Sequence, residues 1–119
     1  MELKEKYTID DLLAIMKRLR DPDGCPWDKV QTHESLRQSM IEEAYEAVDA
    51  IDKNDMASLC EELGDVLLQV AFHCQIETEN KNFTFNDICD DHIDIGSPTL
   101  MIECYFHLFE RRCKFFAFE

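Results

Sequence analysis

The sequence predicts an all-α protein, an antiparallel bundle of four to five helices. Three observations carry this. Apolar residues recur at three- and four-residue spacing through most of the chain. Only three Gly and three Pro occur in 119 residues, which leaves little loop. A Ser, Thr or Asp stands before each periodic run as an N-cap. This length suits one domain with a packed helical core. The expected division is a helical domain over residues 1–95 and a separate aromatic-rich helical tail over 96–119.

Thr8 caps the first helix with Asp11 at its third position, and Ile9, Leu12, Leu13, Met16 and Leu19 form its apolar face. The turn formers Asp21-Pro22-Asp23-Gly24 end it. Residues 21–32 then make a loop with the only Trp and two of the three prolines. Trp27 there stacks on a nucleobase and Lys29 meets phosphate oxygens in one reading. In the other, Trp27 plugs the end of the core and Lys29 is solvated.

Thr32 caps the second helix, which runs to about Asp52 with an inward stripe of Leu36, Met40, Ala44, Ala47 and Ile51, widened by Ile41, Tyr45 and Val48. Asp55 caps the third, which runs to about Glu77 with Leu59, Leu63, Val66, Leu67 and Val70 inward. Thr84 and Asp87 start a fourth helical piece that ends near Ile95. Gly96-Ser97-Pro98 stops it and starts another. Residues 100–118 are apolar on nearly every face and carry five of the eight phenylalanines. Such a helix is normally buried between partners, so this tail either packs into an oligomer interface that completes the bundle, as expected here, or is a liability to aggregation.

The two central helices carry the chemistry. Glu43 and Glu46 are three apart on the second helix and Glu62 and Asp65 three apart on the third, so each pair shares a face. With a turn at Lys53-Asn54, Asn54 lies eight residues from both Glu46 and Glu62, and eleven from both Glu43 and Asp65. An antiparallel hairpin returns each pair to one height, ~12 Å and ~16 Å from the turn at ~1.5 Å per residue. Glu43 is expected about 60°, and Glu62 about 85°, from the centre of its apolar stripe. Gln69 lies on the side of Glu62 and Asp65. Four converging carboxylates are tolerated only if protonated or neutralised by a cation. Oxygen ligands suit Mg2+ or Mn2+, and Mg2+ pairs such acids with phosphates. The alternative is a solvated acidic face. Glu42, Asp49 and Glu61 are expected to face solvent or support the ligands, with Glu42 open as a ligand.

The net charge of −14 excludes several partners. Residues 34–95 hold sixteen acids against three bases. A nucleic-acid groove needs a basic stripe, so none is expected. No apolar stretch approaches the ~20 residues of a membrane span and the N-terminus is charged, so a cytoplasmic protein without membrane contact is expected. Six cysteines without a Cys-x-x-Cys pair read as thiols of a reducing compartment. Cys89-x-x-His92 and Cys104-x-x-His107 offer zinc spacing, but ordinary helical alternation gives the same pattern. A di-iron site is disfavoured because His33, His73, His92 and His107 all lack a Glu three residues earlier, and each reads as a surface or helix-packing residue.

Gly24-Cys25-Pro26-Trp27-Asp28-Lys29, Gln31-Thr32, Leu36, the E-E-x-x-E run at 42, 43 and 46, E-L-G-D at 62–65, Gln69 and Phe72-His73 together resemble the MazG family of nucleoside triphosphate pyrophosphohydrolases, within the all-α NTP pyrophosphohydrolase superfamily. The resemblance covers residues 11 to about 92. It implies a helical domain assembled as a homodimer or higher homo-oligomer, with Mg2+ at Glu43, Glu46, Glu62 and Asp65. It also implies hydrolysis of a nucleoside triphosphate to a monophosphate and pyrophosphate, with Glu42, Glu43 and Glu46 serving the attacking water and Trp27 and Lys29 the substrate. After His92 the family continues into a basic R-R-H-P-H-V-F type of stretch, and this chain has DIGSPTLMIECYFHLFERR instead. That departure supports an alternative function, a non-catalytic helical interaction module.

Overall fold

A computed structural model of the chain describes residues 3–90. Among them are four α-helices, one 3-10 turn and no strand, so the all-α expectation holds. Two compact units divide after Thr84. The first holds α1 (Ile9–Leu19), the 3-10 turn (Asp28–Val30), α2 (His33–Asp52) and α3 (Met56–Glu79). The second is described only through α4 (Phe85–Asp90). The remainder of the predicted fourth helix, the Gly96-Ser97-Pro98 stop, the tail helix, and His92, Cys104 and His107 of the zinc alternative lie outside the described residues.

The helices begin where their caps predict. Thr8 and Asp11 exchange hydrogen bonds in a capping box, as do Thr32 and Ser35 at α2, and Asp55 accepts from the Ser58 backbone at α3. Each such cap is worth ~1 kcal/mol. The α2–α3 turn is as short as expected, with Lys53 as C-cap, Asn54 at φ 52° and Asp55 already capping α3. The Asp55 amide donates to Ala50 O and the Asn54 amide to Ile51 O, so the helix end is closed by the next residues' own backbone. Asn tolerates this left-handed conformation.

The same closure ends α3, where the left-handed position is Lys81 at φ 63°. A Cβ is a liability there, because it crowds the following carbonyl oxygen. Lys81→Gly is expected to raise stability by ~0.5–1 kcal/mol, measured by urea unfolding. An unchanged or lower value would contradict the assignment.

α2 and α1 both pack against α3, α2 more extensively. Met16, Leu36, Phe72 and Ile76 bring the three helices into one apolar core. The inward faces differ from the predicted stripes. Ala44 and Ile51 of α2 are exposed and Ala47 and Ala50 are buried. On α3, Leu63 and Leu67 are exposed, and Gln69, Ala71, Phe72, Cys74 and Ile76 are buried. The tight turn fixes the register, and small Ala47 and Ala50 let the helices approach closely. The apolar stripe marks the face that avoids water, and nothing in it says which neighbour covers that face. Ile41, Tyr45 and Val48 therefore stand on the outside of α2, and Met56, Leu63 and Leu67 on the outside of α3.

No disulfide joins Cys25, Cys60, Cys74 or Cys89. Among the described residues no helix is long and apolar enough to cross a membrane.

Candidate active site

The shift in the inward face moves the acids. Glu43 lies one turn from Ala47 on the side turned to α3, and Glu62 and Asp65 lie two turns and one turn before Gln69 on the side turned to α2. All three acids are half-buried, so they stand in the seam between the helices, where the sequence had placed them beside it. One oxygen from each of Glu43, Glu62 and Asp65 lies within 4.8 Å of the others. Glu46 is exposed but within hydrogen-bonding reach of Glu62. The four acids named from spacing are brought together.

Their electrostatics follow from this crowding. Burial, then Asp65, Glu46 and Glu42, push the Glu43 carboxyl above its usual range. Burial, then the contact with Glu46 and the charges of Asp65 and Glu61, push Glu62 up as well. A carboxyl–carboxyl hydrogen bond requires a proton on one partner, so the contact itself opposes full ionisation. Glu62 Oε2 is buried without a hydrogen-bond partner, and so is Gln69 Oε1 two turns along α3. Such atoms are costly unless something satisfies them. Hard oxygen donors, one of them orphaned, fit a Mg2+- or Mn2+-sized cation. A cleft of about 180 Å³ lined by Glu46, Asp49, Lys53, Asp55, Ser58 and Glu62 opens beside the acids toward the turn. Lys53, the cation in that lining, is held by Asp49 at 2.7 Å.

Of the remaining predicted residues, Glu42 is near enough for its charge to act on Glu43, and Trp27 and Lys29 stand apart from the cluster. Glu42 is exposed, and its Oε1 accepts from Gln38 Nε2 at 2.8 Å. Trp27 and Lys29 lie in the loop before α2, ten or more residues from Glu43, or ~15 Å along the helix. Trp27 is 78% exposed, so it does not plug the core. Lys29 Nζ donates to Pro22 O at 3.0 Å across its own loop.

Sequence reasoning missed a second polar cluster. His33 Nδ1 lies 2.7 Å from His73 Nδ1 with the rings stacked, and His33 Nε2 lies 2.6 Å from Glu77 Oε1. Asn82 Nδ2 donates to the other Glu77 oxygen at 2.6 Å. The hairpin arithmetic held the signal, because His33 is twenty-one residues before Asn54 and His73 nineteen after it. The two nitrogens share one proton, so a second proton on the pair breaks the contact.

That geometry sets a pH dependence. Burial, then His33, depress the His73 pKa below 6.5. The folded state then binds fewer protons than the unfolded one, and stability falls as pH drops below 6.5 toward the folded value. The His33 hydrogen bond, then that of Asn82, hold Glu77 below 4.5, so its contribution is present above 4.5 and lost as pH falls through the folded value. Glu43 and Glu62 act in the opposite direction. Comparing urea unfolding at pH 7.5 and 5.5, His73→Gln is expected to lose less stability on acidification than the unaltered chain. An equal loss would remove His73 from the effect.

A family profile described as the MazG nucleotide pyrophosphohydrolase domain matches residues 31–94. A Thermotoga maritima protein named nucleoside triphosphate pyrophosphohydrolase/pyrophosphatase MazG is 53% identical over 79 residues, 66% of this chain and 31% of that protein. The nucleoside triphosphate pyrophosphohydrolase of Escherichia coli (strain K12) is 54% identical over 82 residues, 68% of this chain and 31% of that protein. The uncharacterized protein YabN of Bacillus subtilis (strain 168) is 47% identical over 97 residues, 82% of this chain and 19% of that protein. The chain thus spans about a third or less of the length of these relatives.

Proposed function

This chain belongs to the MazG nucleotide pyrophosphohydrolase domain family, and from that premise we propose that it hydrolyses nucleoside triphosphates to a monophosphate and pyrophosphate with Mg2+, or Mn2+ in its place. The carrying observation is the convergence of Glu43, Glu62 and Asp65, with one Glu62 oxygen buried and unpartnered and Glu46 against Glu62. These four would hold the cation. When bound, it supplies charge neutralisation for the phosphates and acidification of water.

The chain's own residues do the rest. Water attacks the α-phosphorus, the bond to the α–β bridging oxygen breaks, and pyrophosphate leaves. Glu42, beside Glu43 and tied to Gln38 through one oxygen only, takes the water proton on its other oxygen. Glu43 and Glu46 orient that water by their negative charge. Trp27 stacks on the base, and Lys29 swings from the Pro22 carbonyl to the phosphates.

The outward stripes Ile41-Tyr45-Val48 and Met56-Leu63-Leu67 support assembly as a homodimer or higher homo-oligomer. A nucleic-acid or membrane partner is not part of this reading, given the charge of −14. The cytoplasm, where nucleoside triphosphates are found, is the proposed location.

Incubating the full chain with a panel of nucleoside triphosphates and Mg2+ is expected to yield monophosphate and pyrophosphate in equal amounts. Orthophosphate alone would contradict cleavage between the α and β phosphates, and no turnover of any member would favour the non-catalytic interaction module.

A further inference from the structure

We propose that Arg20 is a positioning residue for nucleotide binding: its guanidinium clamps the loop of residues 21–32 onto α3, so that Trp27 is presented as a fixed, solvent-facing platform for a nucleobase. The proposal rests on the base-stacking reading of Trp27 above and deepens it.

Arg20 is the C-cap of α1, and its side chain is only 8% exposed. A charge so far from water needs its donors filled, and they are. Nε donates to Glu79 Oε2 at 2.7 Å and Nη2 to Glu79 Oε1 at 3.5 Å, a fork onto one carboxylate. Nη1 turns the other way and donates to Asp28 O at 2.7 Å and Gln31 O at 3.0 Å. The guanidinium also lies 5.8 Å from the centroid of Phe72, a core residue of α3. One planar group therefore joins the end of α1, the end and middle of α3, and both sides of the 3-10 turn that starts directly after Trp27. A lysine is a point charge and has no fork to do this.

The rest of the loop is equally constrained. The Cys25 amide donates to Leu19 O at 2.8 Å, and Gln31 Nε2 donates to Trp27 O at 3.0 Å. Ser35 Oγ donates to Gln31 Oε1 at 2.7 Å, which ties the loop to α2. Gly24 lies so close to α1 that a Cβ there would be 2.3 Å from Leu19 O. The loop is tied to α1, α2 and α3 at these points, yet Trp27 is 78% exposed. A Trp serving only the core would turn inward, where burial of its large apolar surface is favourable. A rigid loop that holds a large aromatic ring in water has its ordering cost met before binding, the condition for preorganised recognition. Stacking suits any base, because each has a π-face.

Trp27 is the single tryptophan, so emission excited beyond the absorption of the three tyrosines reports the loop alone. The experiment compares the full chain with Arg20→Met, Arg20→Lys and Gly24→Ala, using α,β-methylene-ATP with Mg2+ as nucleotide probe and inorganic triphosphate as a probe without a base. Expected in the unaltered chain is a change of Trp27 emission with the nucleotide and none with triphosphate. In folded Arg20→Met and Arg20→Lys, the Trp27 anisotropy drops and nucleotide affinity falls about tenfold, while triphosphate, which meets only the flexible Lys29 side chain of this loop, loses less than about threefold. With ATP as substrate, KM rises and kcat stays within threefold. Gly24→Ala displaces the loop without touching Arg20 and is expected to reproduce this, which keeps the test open if Arg20→Met does not fold. Unchanged anisotropy and affinity in the folded variants would overturn the role of Arg20, as would equal losses for both probes. No emission change with nucleotide in the unaltered chain would instead overturn the base-stacking reading of Trp27, and with it the proposal that depends on it.

Discussion

Glu43→Gln is expected to lower kcat for nucleoside triphosphate hydrolysis by ~100-fold or more, since even residues that only support a metal's ligands cost 10–100-fold when changed. Glu43 shares an oxygen cluster with Glu62 and Asp65, and the amide removes a negative charge from its centre. The same is expected of Asp65→Asn. Neither variant should unfold. The Glu43 carboxyl already sits above its usual range because of burial and then the charges of Asp65, Glu46 and Glu42. A neutral side chain of the same shape relieves that repulsion, so the melting temperature without metal is expected to stay level or rise. Glu61→Gln, exposed on α3, is the matched control and should retain near-full turnover. Steady-state kinetics with circular dichroism on the same samples decides this. Full activity in both Glu43→Gln and Asp65→Asn would remove these residues from the site.

Phe72→Ala is expected to cost ~3–5 kcal/mol, a large share of the ~5–15 kcal/mol that holds a domain folded. Phe72 is only 6% exposed and clusters with Met16, Leu36 and Ile76, so one residue joins all three helices of the unit. It also faces the Arg20 guanidinium, and truncation leaves that charge without its ring contact as well as a cavity. Urea unfolding measures the loss as a shifted midpoint. Leu63→Ala gives the contrast, because Leu63 is 52% exposed in the single chain. For an isolated chain its effect stays within about 0.5 kcal/mol. A larger, concentration-dependent effect at Leu63 is the signature of the proposed oligomer. A loss below about 1 kcal/mol at Phe72 would contradict the core described for this unit.

The elements and their starts were legible because the caps are local chemistry. Thr8, Thr32 and Asp55 each bond an amide three residues on, and no distant residue has a say in that. The meeting of the acids was legible for a similar reason. A two-helix hairpin with a short turn is close to a ruler, and distances from Asn54 pair Glu43 with Asp65 and Glu46 with Glu62. The inward face was not legible. Leu63, Leu67 and Ile51 read as core, yet they are exposed in this chain, while Glu43 and Glu62 occupy the seam. Periodicity finds an apolar stripe and is silent on which neighbour covers it. The same ruler would have paired His33 with His73, but it was laid only along the carboxylates. The part played by Arg20 had no signal in spacing, because its partners Asp28 O and Gln31 O are backbone atoms of a loop whose path no periodicity describes.

Divalent-cation binding, followed as melting temperature against Mg2+ or Mn2+ concentration for the unaltered chain and for Glu43→Gln and Asp65→Asn, tests the account most directly. The acid cluster predicts saturable stabilisation of the unaltered chain, ~2.7 kcal/mol at a hundredfold excess over the dissociation constant, and its loss in both variants. No stabilisation, or an equal one in all three proteins, would mean that these carboxylates meet in the seam without holding an ion.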